Sequence, residues 1–109
     1  MRAAAVLTTV GTEEQANLIA GELVARRLAA CVNIVPGVRS VYRWQGEVVS
    51  DGELLLIAKI REDDFEAVRA AIRELHSYDQ PEVLALPVGQ GDPGYLGWIA
   101  ESTDRDGEG

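Results

Sequence analysis

The stretch from about residue 31 to about residue 60 constrains this chain more than any other. Ala30-Cys31-Val32-Asn33-Ile34-Val35, then Val38-Arg39-Ser40-Val41-Tyr42-Arg43-Trp44, then Glu53-Leu54-Leu55-Leu56-Ile57-Ala58-Lys59-Ile60 all read as extended chain. Pro36-Gly37 interrupts the first arm, as a bulge or bend at an accessible sheet edge does. Two dipeptides compete for the hairpin turn. Asp51-Gly52 is the stronger on turn statistics, but turning there leaves Glu47-Val48-Val49 without a partner. The reading adopted is a turn at Gln45-Gly46 with Asp51-Gly52 as a bulge. Period-two alternation then puts Val38, Ser40, Tyr42 and Trp44 on one face and Arg39, Val41 and Arg43 on the other. Both arms far exceed the usual strand of about 5–6 residues.

The remaining segments supply partners for this hairpin. Residues 3–10, rich in Val and Thr and bounded by Gly11, predict a buried strand. Thr12-Glu13-Glu14-Gln15 is a capping-box pattern, and Ala16, Ile19, Ala20 and Leu23 follow at helical spacing. That predicts a helix over about 13–28, with Arg26 and Arg27 in its last turn. A second capped helix starts at Asp63-Asp64-Phe65-Glu66, with Phe65, Val68, Ile72 and Leu75 as its apolar stripe, and ends near His76. A fourth strand is expected over 82–88. After the loop at 89–94, a short helix is expected over 95–100, with Pro93 as its start signal. The end, 104–109, has no apolar residue and reads as a flexible C-terminal tail on a single domain of residues 1–103.

The order is β-α-β-β-α-β plus a short C-terminal helix, an α+β chain with the split βαβ pattern of ferredoxin-like sheets. Right-handed crossovers put both helices on one face of a four-stranded antiparallel sheet with a long central hairpin. The run from Leu54 to Ile60 is nearly continuous in apolar residues, which predicts burial on both faces. Two helices of about four turns do not cover such a hairpin, and its far end carries Val38, Val41, Tyr42, Trp44, Val48 and Val49. A bare surface of that kind calls for further copies of the chain in closed symmetry, or for the C-terminal helix to fold over it.

Charge narrows the function classes. Ten Lys and Arg against eighteen Asp and Glu give a net charge of −8. Nucleic-acid binding needs a basic face and anionic membranes need a basic patch, so neither is expected. One cysteine, Cys31, forms no internal disulfide. The N-terminal apolar run stops at Gly11, too short for a membrane span, and no cleavage site follows it. The chain reads as cytoplasmic.

Few residues carry possible chemistry. Cys31 sits at an apolar strand start, where a buried inert thiol is usual and a nucleophile needs an activating base. His76, the one histidine, either relieves a helix dipole or ligates a metal with help from Asp79, Glu82 or Cys31. No CxxC, HxxxH or HExxH spacing occurs. Lys59, the one lysine, lies in an apolar strand and either pairs with a carboxylate such as Glu82 or reaches a cleft. Tyr42, Trp44, Tyr78, Tyr95 and Trp98 suit an interface or a small-molecule cleft. No nucleophile–base pair or acid–base dyad can be named, so an enzyme is not expected.

Five segments in order carry a resemblance. They are Ala29-Ala30-Cys31-Val32-Asn33-Ile34; Ser40-Val41-Tyr42-Arg43-Trp44 with Gly46; Glu53-Leu54-Leu55-Leu56-Ile57 with Lys59; His76-Ser77-Tyr78-Asp79-Gln80-Pro81-Glu82-Val83; and Tyr95-Leu96-Gly97-Trp98-Ile99. Together, over about Ala5 to Thr103, the chain resembles the CutA divalent-cation-tolerance proteins. The resemblance implies a ferredoxin-like fold in a tight homotrimer whose long hairpins pair between subunits, similar to PII signalling trimers. It implies a role in the response to metal ions, with copper or another divalent metal ion bound weakly, His76 as ligand, and no enzymatic activity. It further implies that Tyr42, Trp44, Lys59, His76, Tyr78, Glu82 and Trp98 gather near the subunit junction. Thr8 stands where some members carry a cysteine, and Leu75 where some carry a second histidine. Soft Cu(I) therefore has only Cys31 and Met1 to choose from. The alternatives are a PII-like small-ligand regulatory trimer, whose nucleotide version the tight Gln45-Gly46 turn weighs against, and a partner-binding scaffold.

Overall fold

The Val- and Thr-rich N-terminal run forms β1, Ala3–Val10, in the computed structural model, which describes residues 1–106. It is followed by α1 (Glu13–Ala25), β2 (Cys31–Trp44), β3 (Glu47–Arg61), a 3-10 turn (Glu62–Asp64), α2 (Phe65–Leu75), β4 (Leu84–Pro87) and α3 (Pro93–Ser102). The four strands form one antiparallel sheet in the order β2-β3-β1-β4, the α+β arrangement expected.

Alternation assigns the two faces. The even-numbered residues of β1 and β3 point towards both helices, and Val6, Val10, Leu56 and Ile60 pack with Ile19 and Leu23 of α1 and Val68 and Ile72 of α2. Each of these large aliphatics contributes about 1.5–3 kcal/mol by leaving water. Within this core the Thr8 hydroxyl is buried and has no hydrogen-bond partner among the described residues. Thr8→Val replaces that hydroxyl by a methyl of the same shape. It is expected to raise stability by about 1 kcal/mol or more in urea unfolding, because an unmet buried hydroxyl costs that much. An unchanged midpoint would show that the hydroxyl is satisfied.

Helix α1 stops at Ala25, short of the expected 28. Arg27 adopts a left-handed conformation at φ 59°. Its N–H donates to the Val24 carbonyl at 3.0 Å, and the Leu28 N–H donates to the Leu23 carbonyl at 3.0 Å. This is a Schellman closure, with Leu28 and Leu23 meeting in the core. Arg26 and Arg27 thus lie beyond the helix, and Arg26 pairs with Glu22 and Glu74 instead. At the other end Thr12 caps the helix by accepting from the Gln15 N–H at 3.1 Å. The Gln15 side chain does not return to Thr12 as a capping box would. It donates to the Leu75 carbonyl and accepts from the Ser77 N–H, tying the start of α1 to the end of α2.

The hairpin turn falls at Gln45-Gly46, with positive φ at both residues, 49° and 81°, as a tight two-residue turn requires. The bulge expected at Asp51-Gly52 is not there. Both residues hold regular register, opposite Ser40 and Arg39. The irregularity lies in the other arm, between Val35 and Val38, where Gly37 takes φ 78°. Two residues, Pro36 and Gly37, oppose Leu54 alone, so the phase of β2 inverts across the bulge.

The run from Leu54 to Ile60, expected to be buried on both faces, is buried on one only within the single chain. Leu56, Ala58 and Ile60 are buried, whereas Leu55, Ile57 and Lys59 are half-exposed. Leu84 and Leu86 of β4 extend this open face, opposite Leu7 and Ala5. Helix α3 spans ten residues from Pro93, longer than expected because Asp92 caps it. It folds over one end of the open face, where Ile99 packs with Ala3 and Ala30 and Arg61 donates to Thr103 and the Ala100 carbonyl. The hairpin end stays bare, and the described residues span 50 Å in length against 26 and 22 Å across. Of the tail, 107–109 lie outside the described residues, while Arg105 forms a bidentate pair with Asp64.

Candidate functional site

The hairpin leaves the sheet beside the loop that joins α2 to β4, and the angle between them is a cleft of about 730 Å³. The bulge decides its lining. Before Pro36-Gly37 the open face carries Cys31, Asn33 and Val35; after it, the same face carries Val38, Ser40, Tyr42 and Trp44. The odd-numbered side of β3 supplies Glu53 from the facing strand, and the loop supplies Tyr78, Asp79, Gln80 and Glu82. No Lys or Arg lines the cleft.

His76 builds the loop rather than lining the cleft. Its side chain is buried, and its ring Nδ1 accepts from the Tyr78 N–H at 3.0 Å. Nε2 lies 2.8 Å from the Thr9 carbonyl oxygen, which can only accept. The ring is therefore the neutral tautomer with its proton on Nε2, bridging the end of β1 to the loop. The Tyr78 ring stacks at a tilt on it, 4.6 Å between centroids, and passes over Gly11, where a Cβ would sit 3.1 Å from the phenol oxygen. A side chain at Gly11 would require the Tyr78 phenol to give way by a few tenths of an ångström.

Two phenols meet two carboxylates, one between the loop and the hairpin and one between the hairpin's own strands. The Tyr78 hydroxyl donates to Glu53 at 2.8 Å, and the Tyr42 hydroxyl donates to Asp51. Partial burial, then the Glu53 carboxylate, push the Tyr78 pKa up to about 12. The bond to Asp51, ahead of desolvation, raises that of Tyr42. A raised phenol favours the protonated form in the fold. Its contribution to stability is thus whole below the unfolded value of 10 and lost as pH climbs towards about 12. In an ultraviolet titration of the phenols, Tyr78→Phe is expected to remove the latest-ionising component. A curve that loses an early component instead would place Tyr78 in water.

Of the residues singled out in the sequence, Tyr42, Trp44, Tyr78 and Glu82 meet at the cleft with His76 behind them. Cys31 and Lys59 do not join them. They sit opposite one another in register on the open face, with Lys59 Nζ 3.5 Å from Cys31 Sγ and bonded to Asn33 rather than to Glu82. Trp98 lies on α3 against Tyr95, 5.5 Å between centroids. Asp51 and Glu53 were missed. The signal for them is parity, since they continue the side of β3 that carries Leu55. A tight metal centre does not fit this arrangement. Both ring nitrogens of His76 are engaged, and among the described residues no three His, Cys, Asp or Glu side chains converge as ligands. Among those residues, too, no helix is long and apolar enough to cross a membrane.

Residues 4–102 match the family model of the CutA1 divalent ion tolerance protein. The divalent-cation tolerance protein CutA of Thermus thermophilus is 53% identical over 98 residues, 90% of this chain and 95% of that one. The chloroplastic protein CutA 1 of rice is 47% identical over 98 residues, 90% of this chain but 55% of that one. Among solved structures, the divalent cation tolerance protein from Thermus thermophilus superposes with a TM-score of 0.91 at 51% identity, over 94% of this chain and 99% of that one. The CutA1 structure from Oryza sativa gives a TM-score of 0.93 at 44% identity, over 96% of each.

Proposed function

Since the chain belongs to the CutA1 divalent ion tolerance protein family, we propose that it acts as a homotrimer in the cytoplasmic response to divalent metal ions, taking those ions weakly at the acidic rim of the cleft, without catalysing a reaction. The observation that carries this reading is the lining itself. Glu53, Asp79 and Glu82 face one cleft with no cationic side chain beside them, on a chain of net charge −8. Such oxygen donors suit hard and borderline cations. Because they do not converge, a cation keeps most of its water and exchanges fast. Trimerisation is supported by the open sheet face, whose half-exposed Leu55 and Ile57 and exposed Leu84 and Leu86 ask for a cover that one chain does not supply.

Isothermal calorimetry with Cu(II), Zn(II) and Mn(II) tests the cation reading. Glu53→Gln together with Glu82→Gln is expected to reduce the heats. Equal heats from the parent and the double variant would reject the rim as the site. A family resemblance to PII-like trimers offers a second reading, a small-ligand regulator. The cleft volume favours it, since small-molecule sites span about 300–1,000 Å³. A thermal-shift screen of metabolites separates the two.

A further inference from the structure

Helix α3 is anchored thinly by apolar contact and firmly by arginine. Beneath it Ile99 is buried against Ala3 and Ala30, with Leu96 half-buried beside them, a cluster separate from the large core under α1 and α2. Two alanine methyl groups offer little area, so burial alone holds the helix to the sheet weakly. Polar contacts supply the rest. Arg61, the last residue of β3, donates from Nε to the Thr103 hydroxyl at 2.9 Å and from a terminal nitrogen to the Ala100 carbonyl at 2.6 Å. A cation there also meets the negative end of the helix dipole. The Thr103 hydroxyl, itself buried, donates on to the Ile99 carbonyl at 2.7 Å.

The residues after Thr103, which read in the sequence as a tail, continue the fastening. The chain passes round the end of the sheet, from the open face to the helix layer, and Arg105 ties it there. The Arg105 guanidinium donates to both oxygens of Asp64, before α2, at 3.1 Å each, and to the Arg27 carbonyl, beyond α1, also at 3.1 Å. A bidentate, charge-assisted pair is the strong form of such a contact. The Asp64 side chain is only 18% exposed, so the pair is better sheltered than an ordinary surface ion pair.

We propose that residues 103–105 form a clasp, and that α3 is a flap that opens as a unit, without the core, when the Arg105–Asp64 pair is released. An element with few buried apolar contacts opens locally at far lower cost than the core does. Opening bares Ala3 and Ala30 at that end of the open face. Arg105 stays partly in water, so the pair is within reach of salt, and ionic strength sets how often the flap opens. Every contact of the clasp lies within one chain, so it stands whether or not subunits assemble.

Native-state hydrogen exchange on the full chain, read amide by amide, tests the clasp. Arg105→Ala and Asp64→Asn are each expected to speed exchange at Ile99, Ala100 and Thr103 by roughly three- to tenfold, leaving Val6, Leu56 and Ile60 unchanged. Because the two side chains act as one contact, the double variant should exchange about as fast as either single variant. Sodium chloride at about 0.5 M should speed the same α3 amides in the parent but not in Arg105→Ala. Core amides that speed up in step with α3 would overturn the proposal, since the pair would then stabilise the whole fold. Single effects that multiply in the double variant would overturn it too, because the two side chains would then act apart. So would α3 amides that stay unchanged in both variants, since the helix would then be held by its apolar contacts or by a covering subunit.

Discussion

Ile57→Asp is expected to leave the protein as single chains of about 11.8 kDa in sedimentation equilibrium, where the proposed homotrimer of the parent is expected at three times that mass. Ile57 sits at the middle of the open face, opposite Leu7 and Asn33. In an isolated chain this side chain is partly exposed, so a carboxylate there can still reach water. In an assembly that covers the face, each copy would bury an unpaired charge, which costs several kcal/mol per subunit. The difference makes the substitution a test of assembly rather than of folding. Leu18→Asp, on the outer side of α1 and 45% exposed, is the control expected to leave the mass unchanged. A circular-dichroism melt separates dissociation from unfolding. A folded Ile57→Asp protein with the parent mass would mean that subunits do not meet on this face.

The second large effect is expected at His76. His76→Ala removes a ring that satisfies two backbone groups at once, the Thr9 carbonyl and the Tyr78 N–H. Both are left unmet and a cavity opens behind the loop. The loss of stability should be about 3 kcal/mol, the scale of a large-to-small core change with an orphaned polar group. The second readout is specific to the site. With the clamp gone, Tyr78 should lose its burial and its contact with Glu53, and the late phenol ionisation should move back towards ordinary values. If His76 were instead a free metal ligand, the substitution would abolish cation heats and leave both stability and the phenol titration alone.

These two sites differ in how legible they were. The apolar run through Leu55 and Ile57 marks a second apolar face in the sequence, because four contiguous aliphatics are costly to leave in water, and the single chain leaves that face only partly covered. The role of His76 was not legible. A helix-ending histidine beside Asp79 and Glu82 has the residue types of a ligand set, and only the position of the Thr9 carbonyl shows that its lone pair and proton are both taken. Lys59 follows the same logic. Glu82 was a fair partner by charge, but cross-strand register brings Asn33 and Cys31 to it first.

What the sequence determined by itself is what short-range forces determine: the order of strands and helices, the Gln45-Gly46 turn, the Thr12 cap and the apolar stripe of α2. Each depends on residues within a few positions of one another. The site depended on relations between distant segments. One extra residue at Pro36-Gly37 inverts the phase of β2, and so Tyr42 and Trp44 join the face that carries Glu53 and Thr9 rather than the face under the helices. Alternation within Val38–Trp44 told which residues travel together but not to which side. A period of two has two phases of nearly equal local energy, and only strand pairing and the burial of Leu56, Ala58 and Ile60 choose between them.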